Sequence, residues 1–237
     1  MVLPPTYIRT CGGPCFHNLP GDITLAIRYH RERRCKMNNT DYKNSRNAAW
    51  EILLACNITR LPVDLNVILL QMGVRAYPYQ GNETPIREMG LEQACAHTAG
   101  LTFYRGGAPI ILYDRNTPPP RLRFTVAHEL GHIALGHVRH GERTVQNREP
   151  QPGDSPMEQA ANRFAVDLLA PACVLWGLGV HTPEEIAEVC DISGASAEFR
   201  AARMAELYHR GKFLTHPTER AVYAAFLPFI KECLGRT

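Results

Sequence analysis

The pentapeptide His128-Glu129-Leu130-Gly131-His132 has the HExxH pattern and lies inside the apolar run Phe124–Leu135. On an α-helix, two histidines four residues apart lie on one face, one turn apart, where both imidazoles reach a single zinc ion. Glu129 then lies beside the open position of the metal. Apolar residues surround this predicted helix on nearly every side, which indicates that it is buried in the core.

The residues before this helix predict three helices and a small sheet. The helices are 45–56 and 64–71, and residues 84–98 predict a third. Alternating β-branched and aromatic residues predict three strands, of which the last two are joined by the hairpin-like Arg105-Gly106-Gly107-Ala108. The strands are 74–79, 101–104 and 109–113. We therefore expect an α+β fold with a short three-stranded sheet packed on the HExxH helix.

The residues after the HExxH helix predict a surface segment followed by helices. Residues 139–154 are polar and rich in Gly, Pro and charge, which is typical of an irregular surface segment. Ser155 and Pro156 then signal the start of a helix that ends before Pro171. Three C-terminal helices follow, beginning near residues 182, 196 and 218. We expect Arg200, Arg203 and Arg210 to form a solvated helix face.

Composition excludes several classes of protein. The chain has 237 residues, of which 45% are hydrophobic and 21% charged, so a folded globular protein is expected. No apolar run has the length of a membrane helix, and residues 1–6 lack the layout of a signal peptide. We therefore expect a cytoplasmic protein without a membrane partner. The eight cysteines are too sparse for a secreted disulfide scaffold, so most are expected to be reduced.

The N-terminal part of the chain holds the basic excess. Residues 1–46 contain eight Lys/Arg and three Asp/Glu, whereas the rest has a slight acidic excess. We predict a basic, partly disordered extension over residues 1–45. The cluster 28–36 could contact nucleic acid, but a solvated basic face is commoner, so direct contact is not favoured. A second zinc site is not favoured either, because its candidate ligands have no matching downstream pair. These ligands are Cys11, Cys15, His17 and Cys35.

A catalytic zinc site usually has three protein ligands and one position for water, so a third ligand is needed. The metzincin pattern requires a histidine at position 138, but that residue is Val138, and His137 comes one residue early. The third ligand is therefore expected to be acidic and to come from the residues that follow. The candidates are Glu142, Glu149, Asp154, Glu158 and Asp167.

Glu158 is the favoured candidate. It lies three and seven residues before Ala161 and Ala165, on the apolar stripe expected to face the HExxH helix. Asn162 shares that face and could orient His128 by accepting its second ring proton. An alternative stays open, because Ser155 to Glu158 is also a capping-box pattern in which Glu158 only caps its own helix.

Two stretches carry a resemblance to a known family. They are RFTVAHELGHIALGH (123–137) and EQAANRFA (158–165), the second followed by LLAP (168–171). The chain resembles the ImmA/IrrE family of zinc metallo-endopeptidases over about residues 46–210. The resemblance is specific in the two metal-helix motifs and generic elsewhere, and residues 1–45 have no recognised counterpart.

This resemblance implies a small, zincin-like (gluzincin-like) metallopeptidase. One Zn²⁺ would be bound by His128, His132 and Glu158, with Glu129 catalytic. Family members are typically bacterial regulators that cleave a helix-turn-helix repressor in response to a stress or mobile-element signal. Residues 46–181 would form the peptidase domain. Residues 182–237 would form a C-terminal helical region, of which 185–200 is similar to the family's helix-turn-helix-like segment.

The expected reaction is hydrolysis of a peptide bond, in which Glu129 takes a proton from water and delivers it to the leaving amine. An extended substrate could pair with the strand edge Ile110–Tyr113. Candidates to stabilise the oxyanion are His137, His140, Tyr113 and Tyr208. The alternative function is a zinc-binding sensor or adaptor that binds a repressor or DNA with little proteolysis. The retained Glu129 opposes it, because a structural zinc site needs no general base.

Overall fold

The computed structural model describes residues 40–138, 143–145 and 155–235, and the side chains of residues 44–138 and 155–235 within them. The predicted N-terminal extension therefore lies outside the described residues, except for its last six. The four candidate ligands of a second zinc site, His140, and the candidate ligands Glu142, Glu149 and Asp154 also lie outside them.

The described chain is an α+β fold of ten helices and four strands, which confirms the expected fold class. In chain order the elements are α1 (Thr40–Ala55), α2 (Leu65–Gln71), β1 (Arg75–Pro78), α3 (Glu83–Glu88), α4 (Glu92–His97), β2 (Gly100–Arg105), β3 (Ala108–Tyr113), α5 (Pro119–Ala134), β4 (Arg143–Val145), α6 (Pro156–Leu169), α7 (Ala172–Leu178), α8 (Pro183–Cys190), α9 (Gly194–His209) and α10 (Pro217–Cys233). The single helix predicted over residues 84–98 is two short helices, because Gly90 adopts a left-handed conformation, with φ of 64°, between α3 and α4.

The four strands form one mixed sheet in the order β1-β3-β2-β4. β1 is parallel to β3, and β2 is antiparallel to both β3 and β4. β4 lies in the segment predicted to be irregular, and it adds a fourth strand to the three expected. The prediction that Ile110–Tyr113 offers a free edge is wrong, because β3 is hydrogen-bonded on both sides.

β3 is buried on both faces, and its alternating side chains enter two apolar clusters. Ile111 and Tyr113 belong to the larger cluster, which the sheet shares with α1, α2 and α5 to α10. Ile110 and Leu112 belong to a smaller cluster with Leu101 and Phe103 of β2. α5 lies between the sheet and α6, and it contacts β2, β3 and α6. The buried position predicted for the HExxH helix is thus present.

Buried arginines attach the C-terminal helices to α5 and α6. Arg123 of α5 is 2% exposed and donates hydrogen bonds to the carbonyls of Asp191 and Val63. Arg200 of α9 is 1% exposed and donates to Asp167 of α6 over 2.8 Å. The prediction that Arg200 lies on a solvated face is therefore wrong, since this guanidinium is buried against a carboxylate.

One helical stretch of the described chain, Pro156–Leu178, is long and apolar enough to cross a membrane by length and composition. However, 72% of its most apolar window is buried inside the protein, and the chain leaves the helical conformation at Ala170 and Pro171. Helices in the core of a globular fold have the same composition.

Candidate metal centre

Helix α5 places three of the predicted site residues in the core. His128, Glu129 and His132 are 7%, 1% and 1% exposed. The Nε2 atoms of the two histidines lie 3.1 Å apart, because residues one turn apart share a helix face. Two imidazole nitrogens this close in a buried site can both bind one metal ion.

Helix α6 adds a carboxylate to the two imidazoles. Oε2 of Glu158 lies 3.4 Å from Nε2 of His128 and 3.7 Å from Nε2 of His132. The helix start is capped by Ser155, whose hydroxyl accepts a hydrogen bond from the backbone N–H of Glu158. The cap thus uses the backbone of Glu158, while its side chain turns toward the histidines.

Asp167, the other candidate ligand in the described residues, pairs with two arginines instead of the histidines. Its carboxylate is 3% exposed and accepts hydrogen bonds from Arg163 and Arg200, each over 2.8 Å. Both of its oxygens are therefore engaged in buried ion pairs. Glu158 is the carboxylate that the fold brings to the histidines.

The geometry of the three side chains fits a metal ion. Their ligand atoms all lie within 4.8 Å of one another. A tetrahedral zinc ion with bonds of about 2.0–2.1 Å needs ligand atoms about 3.3–3.4 Å apart. The observed separations of 3.1, 3.4 and 3.7 Å bracket that value. Two imidazole nitrogens and one carboxylate oxygen are also a ligand set of catalytic zinc sites, which leave a fourth position open.

The close approach of α5 and α6 depends on a glycine. A Cβ atom at Gly131 would lie 3.3 Å from both the Cα and the carbonyl oxygen of Ala161, and 2.9 Å from Cδ1 of Phe164. The backbone of α6 therefore lies against the bare backbone of α5 one residue before His132. We expect this contact to control the distance between the histidines and Glu158.

Glu129 points toward the sheet and is held by β2. The hydroxyl of Thr102 donates a hydrogen bond of 2.6 Å to Oε2 of Glu129. Burial raises the pKa of Glu129 to about 7, which the nearby His128 and the Thr102 hydrogen bond partly counteract. A carboxyl group with a pKa near 7 can both take up and release a proton at neutral pH.

His132 is also in contact with His137. Helix α5 ends in a Schellman motif, in which Gly136 is left-handed and the N–H of His137 bonds to the carbonyl of His132. The Nδ1 atoms of His132 and His137 then lie 3.2 Å apart. Burial, followed by the proximity of His128 and His137, lowers the pKa of His132 to about 2. The imidazole of His132 is therefore neutral at pH 7, as metal binding requires.

Sequence reasoning missed the contact of Thr102 with Glu129, and it named His137 only as a candidate to stabilise the oxyanion, not as a neighbour of His132. The signal for His137 was available, because Gly136 after an apolar helix predicts a Schellman turn that returns the next residue to the last turn. Thr102 carried no such signal, since its contact with Glu129 depends on how β2 packs on α5.

Three other predicted site residues, Asn162, Tyr113 and Tyr208, lie in the described part of the chain. Asn162 is half-buried on α6, and no hydrogen bond joins it to Nδ1 of His128. Its orienting role stays a prediction. Tyr113 is buried in the larger apolar cluster, and Tyr208 packs against His181 and Phe213. The residue that stabilises the oxyanion stays open.

Comparison with protein-family models matches this chain to a peptidase family. Residues 84–201, about half of the 237 residues, match the model of the IrrE N-terminal-like domain of the M78 peptidases. The matched segment runs from α3 to α9 and contains both helices of the metal centre. Comparisons with curated proteins and with solved structures give no match. The family model and the His-His-Glu centre within its bounds agree, and the chain belongs to the ImmA/IrrE family of M78 peptidases.

Proposed function

We propose that this protein is a cytoplasmic zinc-dependent endopeptidase, and that its substrate is a helix-turn-helix transcriptional repressor in bacterial stress or mobile-element regulation. The observation that carries the proposal is a buried glutamate, Glu129, next to a His-His-Glu group that can hold a metal ion. The M78 peptidase family supports the reaction class. The choice of a repressor as substrate rests on what the family resemblance implies.

The three ligand residues and Glu129 divide the work of hydrolysis. His128, His132 and Glu158 would hold zinc, which supplies a Lewis acid that polarises the peptide carbonyl and activates water. Glu129 takes a proton from the attacking water and later delivers it to the leaving amine. Burial raises the pKa of the Glu129 carboxyl, which favours proton uptake, and a bound zinc ion would lower it.

The topology of the sheet suggests where an extended substrate binds. Among the strands that the structure describes, β4 is at the edge of the sheet, and its partner β2 carries Thr102, which contacts Glu129. A peptide that adds to the outer edge of β4 would continue the sheet beside the metal centre. The edge of β4 takes the place of the β3 edge expected from the sequence, because both edges of β3 are already paired with other strands.

Direct DNA binding by the helix-turn-helix-like pair α8–α9 is not favoured. The exposed side chains of this pair include five carboxylates: Glu184, Glu185, Glu188, Glu198 and Glu206. Carboxylates repel the phosphate backbone that supplies most of the affinity for DNA. A protein partner is therefore the better candidate for this surface.

The test is cleavage that depends on the metal. Purified protein, zinc-loaded or treated with a chelator, is mixed with the helix-turn-helix proteins encoded beside its gene, and the products are identified by mass spectrometry. We expect one of these proteins to be cut at a defined bond by the zinc-loaded form alone. Binding of a repressor without any metal-dependent cut would favour the sensor or adaptor function instead.

A further inference from the structure

Two residues on the face of β2 that packs on α5, Gly100 and Thr102, contact Glu129. Gly100 and Thr102 are two residues apart, so they lie on the same face of the strand. β2 is hydrogen-bonded to β3 on one side and to β4 on the other. The backbone at Thr102 is therefore fixed by two neighbouring strands, and the backbone at Gly100 is fixed by β3.

Thr102 makes a directional contact with the carboxylate of Glu129. Its Oγ1 atom lies 2.6 Å from Oε2 of Glu129 and 3.4 Å from the backbone oxygen of the same residue. An ionised carboxylate can only accept, so the single proton of the hydroxyl is donated to Oε2. The length is that of a charge-assisted hydrogen bond. Thr102 is fully buried and Glu129 is 1% exposed, so water does not compete for this contact.

Gly100 provides the steric part of the same arrangement. A Cβ atom at Gly100 would lie 3.2 Å from Cγ and 3.3 Å from Oε1 of Glu129, and 2.6 Å from Cγ2 of Thr125. The stem of Glu129 therefore lies against bare backbone. A larger residue at position 100 would displace either the glutamate or the helix.

We propose that Thr102, supported by Gly100, is the positioning residue of the general base. This inference rests on the proposed function. Thr102 keeps its own proton throughout the reaction, and its hydrogen bond fixes the rotamer in which Glu129 reaches the attacking water. A general base loses much of its effect when its carboxylate is free to rotate away from the reacting proton.

The experiment compares zinc-loaded wild-type protein with three variants. Thr102→Val keeps the shape of the side chain but removes the hydroxyl, and Thr102→Ser keeps the hydroxyl. Thr98→Val is the matched control, because Thr98 is 2% exposed and its hydroxyl donates to the carbonyl of Ala94 over 2.9 Å. The substrate is the repressor cut in the test above or, if none is cut, a library of peptides made from a digested bacterial proteome.

We expect Thr102→Val to lower kcat roughly 10- to 100-fold with KM unchanged, because only the transition state depends on the position of the base. Thr102→Ser should restore most of the rate. Thr98→Val should lower the melting temperature as Thr102→Val does, but retain kcat. All variants should bind one zinc ion. If valine at position 102 prevents folding, Thr102→Ala is the second variant without a hydroxyl.

Two results would overturn the inference while the proposed function stands. One is a Thr102→Val protein with the kcat of the wild type, and the other is a Thr102→Ser protein as slow as Thr102→Val. A different result separates the two proposals: wild-type protein that cuts neither the repressors nor the peptide library overturns the proposed function, and this inference with it.

Discussion

Gly131 of α5 lies directly against Ala161 of α6, where a Cβ atom on the glycine would be 3.3 Å from the Cα atom of the alanine. The contact joins the two helices that carry the His-His-Glu group, between His132 on one side and Glu158 on the other. The geometry of the centre is therefore sensitive to one methyl group that lies outside the ligand set.

Gly131→Ala should separate α5 from α6, because the added methyl group would also lie 2.9 Å from Phe164. Overpacking of this kind typically costs about 1–3 kcal/mol. We expect a lower melting temperature together with weaker zinc binding, measured by calorimetry. Gly194→Ala is the control, since a Cβ atom there meets nothing within 4 Å. Wild-type zinc affinity in Gly131→Ala would show that the contact does not set the site.

Variants of Ser155 and Glu158 distinguish a helix-capping role of Glu158 from a role as metal ligand. Ser155→Ala removes the helix cap and should cost about 0.5–2 kcal/mol of stability with zinc content unchanged. Glu158→Ala removes one of three ligands, so its loss of zinc affinity should exceed the roughly 10–100-fold effect of losing a hydrogen-bond partner of a ligand. Zinc content is measured by atomic spectroscopy after dialysis. Full zinc occupancy in Glu158→Ala would show that Glu158 is not a zinc ligand and acts only at the helix cap.

Glu129→Gln should abolish cleavage while the protein stays folded and binds zinc. The amide has nearly the shape of the carboxylate but cannot take up a proton, and general base catalysis typically contributes about 10²–10⁴-fold. The measurement is the cleavage rate, with circular dichroism and zinc content measured in parallel. A Glu129→Gln protein that still cuts at the wild-type rate would assign the base to another residue.

Asp167→Ala should be strongly destabilising, because it leaves the guanidinium of Arg200 buried without its carboxylate. Breaking a buried ion pair in this way costs about 3–5 kcal/mol. The free energy of unfolding is measured by urea denaturation. Arg203→Ala is the control, since Arg203 pairs with the exposed Glu206 and such pairs contribute about 0.2–1 kcal/mol. Similar losses in the two variants would contradict the burial of the Arg200 pair.

Two buried thiols should make the protein less stable at high pH. Burial raises the pKa of Cys173 and Cys190 from 9.0 to about 12. Above about pH 9 the unfolded chain releases thiol protons that the folded protein retains, so the free energy of unfolding falls between about pH 9 and 12. The Cys173→Ala/Cys190→Ala variant should show a shallower decrease in urea denaturation over this range. Equal slopes in both proteins would show that these thiols do not drive the effect.

The local pattern of the sequence was sufficient for most helices. The apolar run around His128 predicted a buried helix, and Ser155-Pro156 predicted the start of α6, because these signals depend on residues within one or two turns. The spacing of Glu158 before Ala161 and Ala165 also predicted that its side chain faces α5. The structure brings Glu158 to within 3.4 Å of His128, in agreement with that prediction.

Other features depend on residues that are distant in sequence. The order of the strands places β3 in the interior of the sheet, because β1, which comes from an earlier part of the chain, pairs with its second edge. An arginine such as Arg200 is usually solvated, but this one is buried, where it forms an ion pair with Asp167 of another helix. The hydroxyl of Thr102 reaches Glu129 across 27 residues, so the contact exists only after β2 packs on α5.

The sequence by itself thus determined which groups form the candidate metal centre: the histidine pair, the glutamate beside it and a carboxylate at the start of the next helix. These follow from helical periodicity and capping, which act over a few residues. Only the tertiary structure decided how these groups are held. Gly131 lets α6 pack closely on α5, and Thr102 of β2 holds Glu129. Buried arginines attach the C-terminal helices to α5 and α6. Only packing brings such distant residues into contact.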